Sequence, residues 1–196
     1  MIGSWRSSSS HSVEFWSPAD PEQGSCALSG YPREMQYGPT VNLIAGCLVA
    51  CYLNTCEIYQ EGSWKHLQNT VVPRVGHSSA SSGDAILLIG GIMTDNFYDH
   101  YLSPTEYTNT TEWIPVDGSA PHQGPFTVRH GYGHCTIQIS ADVIVVTGGF
   151  YTYHYVTEYQ LEDGRATILT SLQQPRYTHA CGVYQDTSGN QVKRAL

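Results

Sequence analysis

Short apolar runs separated by polar turns extend along most of the chain, and two of these runs end at a pair of glycines. Residues 85–89 are Ala-Ile-Leu-Leu-Ile and stop at Gly90-Gly91, and residues 142–147 stop in the same way at Gly148-Gly149. Apolar runs of this length, bounded by turn residues, predict β-strands. The sequence therefore predicts an all-β protein of short, sequentially connected strands.

The same pattern recurs with a period near fifty residues. The two glycine pairs are 58 residues apart, and the glutamates Glu57, Glu106 and Glu158 are spaced by 49 and 52 residues. A period of this size with a twin-glycine stop is typical of a propeller blade. In two repeats a tryptophan follows the glutamate by seven residues, which predicts that Trp64 and Trp113 occupy equivalent places on fourth strands.

These features resemble the kelch repeat, with its strand ending in Gly-Gly, its Glu-Tyr pair and its spaced tryptophan. The resemblance covers nearly the whole chain and implies a kelch-type β-propeller of four-stranded blades. Residues 1–11 are predicted to be a flexible tail and residues 12–196 the propeller domain. The predicted segments are a half blade at 12–30, full blades at 33–67, 74–116 and 129–171, and a partial blade at 175–196.

The two partial blades leave two arrangements open. The first would supply a third and a fourth strand, and the last a first and a second strand. The chain is then either a partial propeller cut from a larger one, or a four-bladed ring closed by pairing of the two partial blades. We predict the partial propeller.

Composition and charge narrow the classes of partner. Only 13% of the residues are charged, the net charge is -8, and no Lys/Arg cluster exists, which argues against a nucleic-acid partner. The longest uncharged apolar run, residues 43–53, is too short to cross a bilayer, so no membrane span is predicted. The first six residues do not resemble a secretion signal, so the protein is either intracellular or a piece of a longer chain.

Six cysteines and one glycosylation sequence bear on the cellular compartment. Cys51 and Cys56 frame a five-residue step in the blade that lacks the glycine pair, and we predict a disulfide there, with buried free thiols as the alternative. The sequence Asn109-Thr110-Thr111 lies in a predicted turn, so Asn109 is a predicted glycosylation site. We predict an extracellular protein, and a cytoplasmic one is the alternative.

Histidine and arginine each recur near the starts of the repeats, as His77, His134 and His179 and as Arg33, Arg74, Arg129 and Arg176. Three equivalent histidines could bind a metal ion, but no carboxylate recurs beside them, so we predict a structural role, no metal site and no cofactor. The arginines could bind an anion. We predict instead that each ties its strand to a neighbouring blade, through charged hydrogen bonds to the recurring glutamates.

Two aromatic and histidine-rich clusters follow the glycine pairs, at residues 96–101 and 150–155. The candidate binding residues there are Tyr98, Asp99, His100, Tyr101, Tyr151, Tyr153, His154 and Tyr155. In a propeller, the loops between second and third strands share a face with the connectors between blades. We therefore predict one aromatic surface beside the connector 117–128, which contains Pro121, His122 and Phe126. The alternative is that these rings extend the third strands and pack between blades.

No sequence motif of a catalytic nucleophile, and no closely spaced carboxylate pair, is present. We predict a non-catalytic module for protein interaction or extracellular recognition, with a protein or glycan ligand. The alternative is a propeller-fold enzyme, such as a copper-radical oxidase similar to galactose oxidase or a sugar isomerase. Such an oxidase would need a Tyr–Cys crosslink with two histidines, and the sequence does not assemble that set.

Overall fold

The structure is a computed structural model. It describes residues 39–93 and 107–182, together with the backbone of strand residues 13–15, 26–28, 183–185 and 191–195. The regular elements among these residues are sixteen β-strands. In chain order they are β1 (Val13–Phe15), β2 (Cys26–Leu28), β3 (Thr40–Ile44), β4 (Cys47–Gln60), β5 (Ser63–Val75), β6 (Ser78–Ser82), β7 (Ala85–Ile89), β8 (Ile92–Met93), β9 (Thr110–Pro115), β10 (His122–Thr127), β11 (Cys135–Ser140), β12 (Val143–Thr147), β13 (Tyr155–Gln160), β14 (Ala166–Ser171), β15 (Cys181–Gln185) and β16 (Gln191–Ala195).

The strands form three four-stranded antiparallel sheets and two strand pairs. The first sheet has the order β3-β4-β5-β8, the second β6-β7-β9-β10 and the third β11-β12-β13-β14, while β1 pairs with β2 and β15 with β16. The first strands of successive sheets touch: β3 contacts β6, β6 contacts β11, and β11 contacts β15. This side-by-side arrangement around the inner strands confirms the predicted all-β, partial propeller.

The long strand β4 contains a chain reversal. An extended strand rises about 3.3 Å per residue, so positions five apart would be roughly 16 Å from each other. The Cα atoms of Cys51 and Cys56 are only 4.1 Å apart and the two residues are joined by a disulfide, which was the predicted pair. Between them, Leu53 has a left-handed φ of 53°. The first sheet therefore keeps four-strand blade geometry, with the disulfide at the place of the glycine pair.

The hydrophobic core consists of two layers between adjacent sheets. Because successive side chains of a strand point to opposite faces, β7 contributes to both layers. Ile86 and Leu88 pack against the first sheet with Val49 and Ile58, and Leu87 packs toward the third sheet, in the layer that contains Ile144 and Val146. Burial on both faces explains why β7 is a continuous apolar run rather than an alternating one.

The second sheet differs from its prediction in the identity of the outer strands. Trp64 lies on β5, which pairs with the part of β4 that follows the chain reversal, and its ring contacts that of Tyr59. Trp113 lies on β9, the third strand of the second sheet, and the fourth strand is β10, which was predicted to be a connector. The prediction for Trp113 and the blade end at residue 116 are therefore wrong. The segment after Gly91 is longer than the repeat spacing implies, and the third strand begins only at Thr110.

No helix among the described residues has the length and apolar character needed to cross a membrane.

Candidate functional site

Main-chain hydrogen bonds join the sheets at the repeat starts. The residue before each recurring histidine has a left-handed φ: 62° at Gly76, 66° at Gly133 and 50° at Thr178. Gly133 N donates to Gly76 O at 2.8 Å, and Thr178 N donates to Gly133 O at 2.6 Å. The three repeat starts thus form one continuous ladder across the inner strands.

The twin glycines are required by the close approach of the next repeat start. A Cβ on Gly90 would lie 2.8 Å from Gly131 O and 2.9 Å from the ring of His134. A Cβ on Gly148 would lie 2.5 Å from Arg176 O and 2.6 Å from the ring of His179. Both glycines also have left-handed φ angles. Close backbone approach and left-handed backbone geometry together explain why glycine is needed at these positions.

The recurring histidines are interior residues. His77 and His134 are buried, and His179 is half-buried. Hydroxyl groups face two of them, with Thr40 Oγ1 at 3.1 Å from His77 Nε2 and Thr147 Oγ1 at 2.8 Å from His179 Nε2. Within the described residues, no three His, Cys, Asp or Glu side chains are grouped as a metal site would require.

Burial keeps these imidazoles neutral. It lowers the pKa of His77 to about 3, and the positive charge of Arg74 adds to the shift. Burial likewise lowers the pKa of His134 to about 3, with a further contribution from the nearby His130. The pKa of His179 is also lowered, by its partial burial first and by Arg176 second. Neutral, buried imidazoles of this kind serve as packing residues where adjacent sheets meet.

The recurring arginines have different surroundings. Arg74 is fully buried and forms an ion pair with Glu112, which agrees with the predicted role. Glu112 is not one of the recurring glutamates that were expected to be the partners. Arg129 is exposed and lines an open groove of ≈ 470 Å³ beside β10, so the predicted tie is wrong for this residue. The buried residue of that repeat is its neighbour His130, because its ring fits between Gly148 O and Thr157. Arg33 lies outside the described residues.

Six aromatic side chains from four sequence-distant segments meet on the face that carries the connectors between sheets. This aromatic cluster consists of Tyr107, Tyr132, Phe150, Tyr151, Tyr153 and Tyr177. Tyr107 precedes β9, Tyr132 lies in the connector between the second and third sheets, and Tyr177 lies in the next connector. Residues 150–153 join the second strand of the third sheet to its third strand.

Three rings form the base of the cluster and the others surround it. The rings of Tyr107, Tyr132 and Phe150 are near parallel, with interplanar angles of 10–27° and centroids 4.9–6.3 Å apart. Tyr151 and Tyr177 stand at 71° and 81° to Phe150. Tyr151 is 61% exposed and Tyr177 is 49% exposed, whereas the three base rings are half-buried. The cluster thus presents standing tyrosine rings to solvent above a packed aromatic base.

Backbone hydrogen bonds hold the segments of the aromatic cluster in place. Phe150 N donates to Tyr132 O at 2.9 Å, and Arg176 N donates to Tyr153 O at 2.9 Å. Burial raises the pKa of Tyr107 above its ordinary value, and the neighbouring Tyr151 adds to the shift. Tyr107 is therefore neutral at physiological pH, and the cluster contains no Asp, Glu, Lys, Arg or His side chain.

The predicted site residues are only partly brought together. Tyr151 and Tyr153 belong to the aromatic cluster, and His154 and Tyr155 are exposed beside it. Tyr155 makes no ring contact with the cluster among the described side chains. The predicted residues Tyr98, Asp99, His100 and Tyr101 lie outside the described part of the chain.

The predicted contribution of the connector 117–128 is wrong. His122 pairs with Trp113 at the end of β10 that is remote from the cluster, and Phe126 is buried against Tyr159. The reason is that residues 122–127 form a strand rather than a loop, so only its far end, where Val128 N bonds to Asn109 O, reaches the face of the cluster. Pro121 precedes the strand at its remote end.

Sequence reasoning missed Tyr107, Tyr132 and Tyr177. A signal existed for two of them, because Tyr132 and Tyr177 each stand two residues before a recurring histidine. The same position in the preceding repeat is Val75, which packs in the small core cluster adjoining Tyr107 and Tyr132. An aromatic residue at that place in two successive repeats marks the connector face.

These observations define the class of protein: an all-β chain of propeller-type sheets with an aromatic surface on one face. No protein-family model matches the chain, and no curated protein matches its sequence. Among solved structures, that of YjhT is similar to this chain, with a TM-score of 0.68 and 13% sequence identity. The match covers 89% of this chain and 64% of YjhT, so the chain spans about two thirds of that protein. At this identity the similarity shows the fold alone.

Proposed function

We propose that this chain is a non-catalytic recognition module that binds a protein or glycan ligand through the aromatic cluster. The observation that carries the proposal is the exposure of Tyr151 and Tyr177 above a packed base of near-parallel rings. Tyrosine combines a wide apolar face with a polar hydroxyl group, which suits a contact surface. Contiguous exposed apolar surface on a folded protein marks contact sites.

The chemistry of the aromatic cluster favours a neutral contact. Its six side chains include no Asp, Glu, Lys, Arg or His, so binding would come from ring faces and hydroxyl groups. Sugar rings and the side chains of a protein segment can both stack on such faces. The net charge of -8 disfavours a strongly acidic partner through long-range repulsion.

The proposed location is extracellular. Two disulfides, Cys51–Cys56 and Cys135–Cys181, are formed in the structure. Disulfides persist in oxidising compartments and are rare in the cytosol. The second disulfide joins the first strand of the third sheet to β15, so it spans two structural repeats.

The test measures binding by the folded chain with matched tyrosine variants. Immobilised glycans and a pull-down from extracellular fluid supply the two ligand classes, and the affinity of each captured ligand is then measured by calorimetry. Tyr151→Ala and Tyr177→Ala should each weaken binding by about thirtyfold, as expected of an aromatic hot spot that contributes roughly 2 kcal/mol.

Tyr155→Ala is the matched control, because Tyr155 is 45% exposed but lies outside the ring contacts of the cluster. Its affinity should stay within about twofold of the wild type, as is usual for residues outside a hot spot. Equal losses in all three variants, or no loss in any, would remove the aromatic cluster from the binding site. Capture of a glycan but no protein, or the reverse, decides the ligand class.

A further inference from the structure

We propose that Asn109 carries an N-linked glycan, which is attached before the second sheet folds. The sequence Asn109-Thr110-Thr111 satisfies the acceptor rule, which requires Ser or Thr two residues after the asparagine. The structure adds two independent observations, which concern the exposure of the asparagine and the burial of the sequon threonine. The inference does not depend on the identity of the ligand bound by the aromatic cluster.

Asn109 is exposed on a backbone that is fixed on both sides. Its carbonyl accepts a hydrogen bond from Val128 N at 2.7 Å, and the preceding Thr108 N donates to Gly91 O at 2.9 Å. Thr108 is buried, while Asn109 is open to solvent. A glycan on this side chain would extend outward without displacing any packed group.

The threonine of the acceptor sequence is enclosed in the folded protein. Thr111 is 1% exposed, and its Oγ1 donates to Phe126 O at 2.7 Å across β9 and β10. Gly124 on the facing strand has no side chain, and a Cβ there would collide with Thr111 Oγ1. A transferase that must contact this hydroxyl group can do so only before β10 pairs with β9. Attachment therefore precedes folding of this sheet.

The two disulfides place the chain in a compartment that suits this modification. Cys51–Cys56 and Cys135–Cys181 need an oxidising environment, as the secretory pathway provides. Asparagine glycosylation occurs on secreted proteins at surface positions of this kind. Disulfide formation and glycan attachment are thus compatible for this chain.

The reaction joins the side-chain amide to an activated sugar. Asn109 Nδ2 forms a bond to the anomeric carbon of a lipid-linked oligosaccharide, and the bond from that carbon to the lipid pyrophosphate breaks. The amide nitrogen loses one proton, and the lipid pyrophosphate leaves with the bonding electron pair. No oxidant or reductant takes part.

The site lies close to the aromatic cluster. Asn109 is two residues from Tyr107, which belongs to the base of that cluster. The glycan would therefore stand on the connector face, next to the surface proposed to bind the ligand. It would restrict the directions from which a large partner can approach.

The experiment produces the full chain behind a cleavable secretion leader in cultured eukaryotic cells. The intact mass is measured before and after treatment with a peptide N-glycosidase. The wild type should lose a glycan mass on treatment, Asn109→Gln should carry none, and Thr111→Ser should keep the glycan because it retains the hydroxyl group. Asn69→Gln, at another exposed asparagine, should leave the glycan unchanged.

A secreted, disulfide-bonded wild type with no glycan at Asn109 would overturn the site. A second experiment tests whether the glycan is attached before folding. Purified oligosaccharyltransferase and lipid-linked donor are added to two unglycosylated samples of the protein. The reduced, alkylated chain should be modified and the folded chain should not. Equal modification of both would overturn attachment before folding. Mass is the readout throughout, so these outcomes are separable from failure of the proposed ligand binding.

Discussion

Arg74, on β5 of the first sheet, and Glu112, on β9 of the second sheet, form a buried ion pair, with Arg74 Nη2 3.0 Å from Glu112 Oε2. Arg74 Nη1 also donates to Gly90 O at 3.1 Å. Between the second and third sheets, the equivalent glycine carbonyl is contacted by a histidine instead of an arginine. His130 Nδ1 lies 2.7 Å from Gly148 O, and His130 Nε2 lies 3.1 Å from Thr157 Oγ1. The carbonyl of the first glycine in each pair is thus bound by an ion-paired arginine in one repeat and by a histidine hydrogen-bonded to threonine in the next.

Glu112→Gln is expected to destabilise the protein strongly. The substitution leaves the Arg74 guanidinium charged and fully buried without its counter-ion. Breaking one side of a buried ion pair typically costs about 3–5 kcal/mol. Chemical denaturation followed by tryptophan fluorescence measures this change in the free energy of unfolding.

Glu61→Gln serves as the control for that measurement. Glu61 pairs with Lys65 at 2.6 Å, but both side chains are solvent-exposed. The denaturation midpoint of this variant should match that of the wild type, because exposed ion pairs contribute little. Similar losses in Glu61→Gln and Glu112→Gln would contradict a special role for burial.

Acid should destabilise the fold beginning near neutral pH. Above pH 6.5, His77 and His134 are neutral in the folded and in the unfolded chain. Below pH 6.5, these histidines bind protons in the unfolded chain but not in the folded chain, because burial lowers the pKa of both to about 3. The free energy of unfolding should therefore fall as pH drops from 6.5 toward 3, by about 1.4 kcal/mol per pH unit for each histidine. Urea titrations at pH 7.5, 6.0 and 5.0 measure the slope.

Histidine substitutions test the origin of that slope. His134→Gln removes one buried titrating group, so the fall in stability between pH 6.5 and 5.0 should be less steep than in the wild type. His154→Gln changes an exposed histidine and should leave the slope unchanged. A wild type with constant stability over this window would contradict the neutral state of the buried rings.

Gly148→Ala should cost more than an alanine at a glycine that is equally left-handed but open. At Gly148 the new Cβ would meet Arg176 O at 2.5 Å in addition to the backbone strain. At Gly46, with a φ of 79°, nothing lies within 4 Å of the Cβ position. We expect a loss of about 1–2 kcal/mol for Gly46→Ala from the left-handed backbone alone. Gly148→Ala should lose about 1–3 kcal/mol more from overpacking. Equal thermal shifts in the two variants would show that the next repeat start can move away.

The two disulfides should differ in their contribution to stability. Cys135 and Cys181 are 46 residues apart in sequence, whereas Cys51 and Cys56 are five apart. Loop-closure entropy predicts that Cys135→Ser with Cys181→Ser costs about 4 kcal/mol, and Cys51→Ser with Cys56→Ser about 2 kcal/mol. Denaturation of the two double variants under non-reducing conditions compares them. The reverse order would indicate that the shorter loop depends on its disulfide for its conformation.

The repeat pattern predicted the inner strands better than the outer ones. Strands β7 and β12 follow directly from apolar runs that stop at glycine pairs, and both are buried on two faces. The third strand of the second sheet was predicted at the wrong place, because the chain has two glutamate–aromatic pairs that could mark it, Glu106-Tyr107 and Glu112-Trp113. The even repeat spacing favoured the first pair. Loop length costs little free energy, so spacing alone could not decide between them.

The aromatic cluster was predicted only where its residues are neighbours in sequence. Tyr151 and Tyr153 belong to one aromatic run, so they could be predicted as surface residues from the sequence. Tyr132 and Tyr177 join them only because Phe150 N bonds to Tyr132 O and Gly149 N bonds to Arg176 O across the sheets. Contacts of that kind depend on the angle between sheets, which a one-dimensional pattern does not contain.

The ladder that links Gly76, Gly133 and Thr178 consists of peptide groups alone. Peptide groups are the same in every residue, so this connection places almost no demand on side-chain identity beyond tolerance of a left-handed φ, which even Thr178 meets. Substitutions can then accumulate in the repeats while the spacing between sheets is conserved. The same fold can then be built from sequences with few residues in common, as the 13% identity at a TM-score of 0.68 illustrates.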